Sequence, residues 1–189
     1  MPSKDLEKMV SRFDSSSEIL SGLKDDILWL MILIYSFKVR ARLEGLGQWS
    51  REHMSIEFML LDSAVRDIVM RLTALDDDSK NNRSFQTLLS ALNRENLLEQ
   101  KRSRALKEKV KKYRDAVNKF KVEHRNQYIS HVNTDASVVP RVIDRPVRFH
   151  EVASLAVNLM DDLAGTTLQY HFKMGSNESI NLRNALQAE

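Results

Sequence analysis

The sequence predicts an all-α fold, and three observations predict it. Residues that punctuate hairpins are scarce, with five Gly and three Pro in 189 residues, whereas Leu, Lys, Arg, Glu and Ala are plentiful. Apolar residues recur at helical spacing in successive stretches. Polar or Gly-containing breaks separate those stretches. A chain of this length with 42% apolar residues can close one core, so we expect a single domain over residues 1–174 and a flexible C-terminal tail over residues 175–189. The architecture expected is an up-and-down helical bundle with short appended helices.

Leu6, Met9, Val10 and Phe13 mark a short first helix, and the break at Asp14-Ser15-Ser16-Ser17-Glu18 supplies an N-cap for the second. That second helix is expected over residues 17–43. Its middle, from Ile27 to Phe37, is apolar on nearly all sides, which predicts burial between several neighbours and is about half the roughly 20 residues that cross a bilayer. After Gly45-Leu46-Gly47, a helix from Ser50 to about residue 75 is marked by Met54, Ile56, Phe58, Met59, Leu61, Val65, Ile68, Val69 and Leu72. A polar loop follows at residues 76–82; its three aspartates lack the central Gly and terminal Glu of an EF-hand, so no metal is expected there. Phe85, Leu88, Leu89 and Leu92 mark the next helix. In the long basic helix beyond Asn93, Leu106, Val110, Tyr113, Val117 and Phe120 alternate spacings of four and three, the narrow seam of one bundle helix packed along another. The same spacing continues to His124, Gln127 and His131, turning polar. A connection over residues 132–147 leads to a last helix carrying Phe149, Val152, Leu155, Ala156, Leu159, Leu163 and Leu168. Trp29, Trp49 and the eight methionines are expected as core material or helix anchors.

The absence of cysteine excludes disulfides, thiolate metal sites and cysteine nucleophiles, and with no signal-peptide pattern at the N-terminus it points to the cytoplasm. The net charge of +3 is small but unevenly spread. Residues 101–125 hold eleven Lys or Arg against three acids, a net +8 that leaves −5 for the remainder. Such a segment is either a solvated helix face or a phosphate-facing surface. On the second reading Lys111, Lys112, Arg114, Lys119, Lys121 and Tyr128 are the candidate RNA-binding residues.

The stretch Glu123-His124-Arg125-Asn126-Gln127-Tyr128-Ile129-Ser130-His131 contains an Arg followed by a polar residue and, a few positions on, a His near a helix end. Together with Arg66-Asp67-Ile68-Val69-Met70-Arg71-Leu72, the acidic loop and Ser84-Phe85-Gln86-Thr87-Leu88-Leu89, it resembles the HEPN superfamily, and within it the abortive-infection-like branch, over roughly residues 50–163. The chain has Asn133 where relatives often carry an acid, and Tyr128 precedes the His that a Tyr often follows. The resemblance implies a HEPN-like helical bundle, commonly a homodimer, acting as a metal-independent ribonuclease in toxin-antitoxin, abortive-infection or other antiviral defence systems. It assigns Arg125, His131 and Asn126 as catalytic, needs no cofactor or metal, and implies RNA as partner with an antitoxin or other regulatory protein. Membrane partners are not expected.

The chemistry agrees with those residue types. Attack of a ribose 2′-hydroxyl on the adjacent phosphate needs a group that moves protons near neutral pH, which His131 supplies, and a fixed forked cation, which Arg125 supplies. On one straight helix the two lie about 120° apart and about 9 Å along the axis, so either the helix ends before His131 or two copies of the motif share one cleft. Against this stands a purely structural reading, with His131 on a helix dipole, Arg125 on the surface and Asn126 capping the last turn. The alternative function is then a non-catalytic helical interaction or nucleic-acid-binding module with the same fold.

Overall fold

The computed structural model describes residues 15–42, 48–79, 81–124, 149–173, 175 and 179–187. Among these residues are six helices and one small antiparallel sheet, in the order α1 (Ser16–Ala41), α2 (Arg51–Ala74), α3 (Phe85–Arg94), α4 (Gln100–His124), α5 (Phe149–Ala164), β1 (His171–Lys173), β2 (Ser179–Asn181) and α6 (Leu182–Gln187). The molecule is thus predominantly helical, as expected. The expected first helix at residues 6–13 lies outside the described residues.

Serines start three of the helices. Ser15 Oγ accepts from the Glu18 N–H at 3.2 Å and Ser50 Oγ from the His53 N–H at 3.2 Å, each satisfying a donor that the first helical turn leaves unpaired. At α3 the exchange is reciprocal: Ser84 Oγ accepts from the Thr87 N–H, and Thr87 Oγ1 accepts from the Ser84 N–H at 2.9 Å. The beginning of α1 is also tied to the end of α3, because the Ser16 N–H and hydroxyl both donate to the Glu95 carboxylate, at 2.8 and 2.5 Å. Those bonds hold the Glu95 carboxyl below its ordinary range.

One core joins the elements. Leu23, Ile27, Leu30, Met31 and Ile34 of α1, Ile68 and Leu72 of α2, Phe85 and Leu88 of α3, and Ala153, Ala156 and Met160 of α5 are fully or nearly fully buried. The α4 seam closes against them, with Leu106, Val110, Tyr113, Val117 and Phe120 all buried as the alternating spacing predicts. Each such side chain contributes about 1.5–3 kcal/mol relative to exposure. Edge-to-face rings fix the arrangement: Phe85 on Tyr113 at 5.0 Å, Phe37 on Phe149 at 5.5 Å and Phe120 on Phe149 at 5.9 Å. The buried Tyr113 hydroxyl donates to the Leu72 carbonyl at 2.7 Å, linking α4 to α2.

The structure corrects three expectations. The C-terminal tail is folded over residues 179–187. β2 pairs with β1 through Phe172 and Ile180, and Leu182 and Leu186 of α6 enter the core beside Tyr170. Polar bonds hold this segment where few apolar residues are available. Arg183 grips both Asp161 oxygens at 2.6 Å and donates to the Leu168 carbonyl, while Lys38 Nζ reaches the Ala185 and Leu186 carbonyls at the end of α6. Trp29 is not core material, being 56% exposed, and of the methionines Met31 and Met160 are buried whereas Met59 and Met70 are open to solvent. Finally, Ile56, Phe58 and Met59 in the first half of α2 are exposed, and the buried residue there is Glu57. Glu57 meets the basic last turn of α1, where Arg40 Nε and Nη2 clasp its carboxylate, both at 2.5 Å.

Three substitutions test this packing. Leu182→Ala should cost about 2–4 kcal/mol in urea unfolding, the penalty of a core cavity, whereas a detached tail would register almost nothing. Tyr113→Phe should cost about 1–2 kcal/mol through the lost bond to Leu72. The Tyr170 hydroxyl is buried without a hydrogen-bond partner among the described residues, and burial first and Asp161 second push its pKa up, so Tyr170→Phe should be neutral or stabilising in the same assay.

Candidate nucleic-acid interface

The basic segment is one straight element, and its seam determines where each cation points. With about 100° per residue and Tyr113 facing the core, Arg114 and Lys121 fall on one shoulder of α4, Arg102 and Lys109 near the opposite edge of the seam, and Lys111, Lys112 and Lys119 toward the back. The environments agree with that geometry. Lys111, Lys112 and Lys119 are exposed, Lys121 is half-buried, and Arg114 is drawn against the loop that follows α2.

That loop is the acidic stretch Asp76-Asp77-Asp78. Asp76 is buried, its side chain 5% exposed, and its carboxylate accepts from Arg114 Nε at 3.0 and 3.1 Å, with Arg114 Nη2 donating to its carbonyl at 3.4 Å. Asp78 lies 3.9 Å from the same guanidinium. Asp77 turns away to accept the Ser79 N–H at 2.8 Å and the Asn82 amide at 2.7 Å, and these bonds, reinforced by nearby Lys121, hold its carboxyl below its ordinary range. The aspartates are therefore the electrostatic partner of α4. Among the described residues no group of three or more His, Asp or Glu side chains is placed to hold a metal ion.

On the other edge Lys109 Nζ pairs with Asp162 at 2.5 Å and Arg102 Nη2 donates to the Asp162 carbonyl at 3.1 Å. These residues, with Asp161, Gly165 and Thr166, line an open depression of about 420 Å³ between α4 and the end of α5. Both cations there already meet Asp162, so the depression offers mixed charge and no concentrated anion site.

Of the sequence-predicted binding residues, Lys111, Lys112 and Lys119 thus share the outward side of the helix, while Arg114 and Lys121 face the aspartate loop. Asp76 is the functional neighbour that sequence reasoning missed. The three consecutive aspartates were conspicuous, but their pairing with a residue 38 positions away has no local signature. Arg125, Asn126, Tyr128 and His131 lie outside the described residues, immediately beyond the end of α4 in sequence. No helix among the described residues is long and apolar enough to cross a membrane.

The two kinds of cation should separate by mutation. Arg114→Ala, which leaves the Asp76 carboxylate buried without its guanidinium, should lower stability by about 1–3 kcal/mol. Lys111→Ala, Lys112→Ala and Lys119→Ala should leave the urea midpoint unchanged, and combined they should weaken retention of single-stranded RNA and flatten its salt dependence. Comparison with family models, curated proteins and solved structures returns no match for this chain.

Proposed function

We propose that this chain is a metal-independent endoribonuclease of the HEPN type, the effector of a defence or toxin-antitoxin system, cleaving RNA through Arg125-Asn126-x4-His131. One observation carries the reading. A helix whose apolar edge is locked in the core turns Lys111, Lys112 and Lys119 outward and runs in sequence straight into Arg125. Polycationic helix backs suit a phosphate chain, and the residue types just beyond the helix suit its cleavage.

In the proposed reaction neutral His131 takes the 2′-hydroxyl proton, the 2′ oxygen bonds to phosphorus, and the bond from phosphorus to the 5′ oxygen breaks as that oxygen takes up a proton. The products are a 2′,3′-cyclic phosphate and a 5′-hydroxyl. Arg125 stabilises the charge that gathers on the phosphoryl oxygens, and Asn126 orients the phosphate or ribose. A homodimer bringing two motifs into one cleft, an antitoxin or other regulator that restrains it, and a cytoplasmic site of action belong to the same proposal.

A second reading, an interaction module without cleavage, draws support from the exposed apolar residues Ile56, Met59, Leu60 and Met70 on α2. The experiment that separates them is incubation of purified protein with labelled total RNA in EDTA. The enzyme reading expects cleavage leaving 2′,3′-cyclic phosphate ends, reduced roughly 10²–10⁴-fold in His131→Ala and roughly 10²–10³-fold in Arg125→Ala, with unchanged circular dichroism. Equal cleavage by all three proteins, or by none, would remove the motif from the mechanism.

A further inference from the structure

The chain beyond α5 is joined to the bundle by little apolar surface and by one dense polar contact. Gly165, Thr166 and Thr167, which lead out of α5, are exposed and border the open depression beside α4, so no side chain of this linker is packed in the core. Gly165 has a φ of 72°, the left-handed turn that ends the helix. After it, β1 and β2 have three residues each and α6 has six, lengths at which neither a two-stranded sheet nor a helix sustains itself in water. The apolar hold of this segment is Tyr170, Leu182 and Leu186, with Leu168, Phe172 and Ile180 partly buried beside them.

Asp161, still within α5, is the hub of the polar contact. Its Oδ1 accepts the Leu168 N–H at 2.9 Å, both its oxygens accept from Arg183 Nη2 at 2.6 Å, and Arg183 Nε donates to the Leu168 carbonyl at 2.7 Å. The start of the segment and its last helix therefore meet on one side chain. The Asp161 and Arg183 side chains are 18 and 20% exposed, so water competes weakly for the pair. Between these ends the Leu182 N–H donates to the Tyr170 carbonyl at 3.0 Å. The closed form also carries a penalty: the Tyr170 hydroxyl is buried with no hydrogen-bond partner among the described residues, and separation of the segment from the bundle returns it to water.

We infer that β1, β2 and α6 form a strap that opens from α1 and α5 as one unit, hinged at Gly165 and latched by Asp161 on Arg183, while α1 to α5 stay packed. The reason is unequal hold. Release of the Asp161 clasp frees both ends of the strap together and leaves three buried side chains and the two Lys38 bonds to the Ala185 and Leu186 carbonyls to keep it closed, against the long shared core of the five helices. α6 lies against α1 and α5, so opening bares apolar surface on both. The inference concerns the fold alone; it stands apart from the ribonuclease reading and its test involves no RNA.

Native-state hydrogen exchange of the full chain tests it, because each amide reports the opening that frees it. Corrected for intrinsic rates, the Leu182 amide should exchange about 10²-fold faster than the slowest amides of α1 around Leu30, and its rate should rise less steeply with added urea. Two substitutions separate strap from bundle. Tyr113→Phe, which removes the bond from α4 to the Leu72 carbonyl, should speed the α1 amides about tenfold and leave Leu182 unchanged. Asp161→Asn, which keeps an acceptor for the Leu168 N–H but removes the charge that grips Arg183, should speed Leu182 about 10–100-fold with unchanged circular dichroism. A Leu182 amide that exchanges in step with Leu30 in the wild type, one that follows Tyr113→Phe, or one indifferent to Asp161→Asn would each overturn the inference.

Discussion

The structure depends on a constraint in α4: a helix with ten basic residues has to be held by an apolar edge one side chain wide. Leu106, Val110, Tyr113, Val117 and Phe120 occupy that edge, and a rotation by one residue either way would bring Lys109, Arg114 or Lys121 into the core. Burial of an unpaired cation costs far more than a seam residue contributes, so the rotational setting of the helix is fixed by what it must exclude. Tyr113 makes the setting finer than hydrophobicity alone. Its ring lies against Phe85 and its hydroxyl finds the Leu72 carbonyl, tying three helices at one residue.

Once the seam is fixed, the charges sort themselves. Neighbouring elements supply acid at both edges: Asp76 and Asp77 beside Arg114 and Lys121, and Asp162 beside Lys109 and Arg102. The cations on the back, among them Lys111, Lys112 and Lys119, are left to solvent with Glu108 and Asp115 beside them. The positive field of this helix is therefore narrower than its sequence implies. A polyanion would approach the back, where exposed charge is strongly screened by salt, and would find the shoulders already neutralised.

These outcomes were unequally legible in the sequence. The α4 seam was readable because five apolar residues at alternating spacings stand out against a charged background, and the three serine caps because capping is a local event. The folded tail was not readable. Its strands are three residues long, its helix has six residues, and the bonds that hold it, Arg183 with Asp161 and Lys38 with the end of α6, join positions far apart in the chain. Trp29 and the first half of α2 failed for another reason, since apolar content reports that a residue would favour burial without reporting that a neighbour is there to cover it. The candidate site divides similarly. Lys111, Lys112 and Lys119 follow from the seam by angle, Arg114 was claimed by an aspartate no local pattern announces, and Arg125, Asn126 and His131 remain an inference from residue chemistry.

The outward face of α2 and the back of α4 also differ in what they can hold. Two α4 backs brought together would repel each other, so a groove built from them needs another surface to keep the copies in place or a polyanion between them. α2 has no such conflict. Arg51, Arg66 and Arg71 balance Glu52, Asp62 and Asp67, Glu57 being taken up by Arg40, and exposed apolar residues stand among these charges. A surface with balanced charges carries little electrostatic penalty against a neutral partner, whereas a surface of net positive charge favours a ligand of the opposite sign. The two outward faces thus differ in charge, the back of α4 carrying a net positive charge and the outward face of α2 a balanced one.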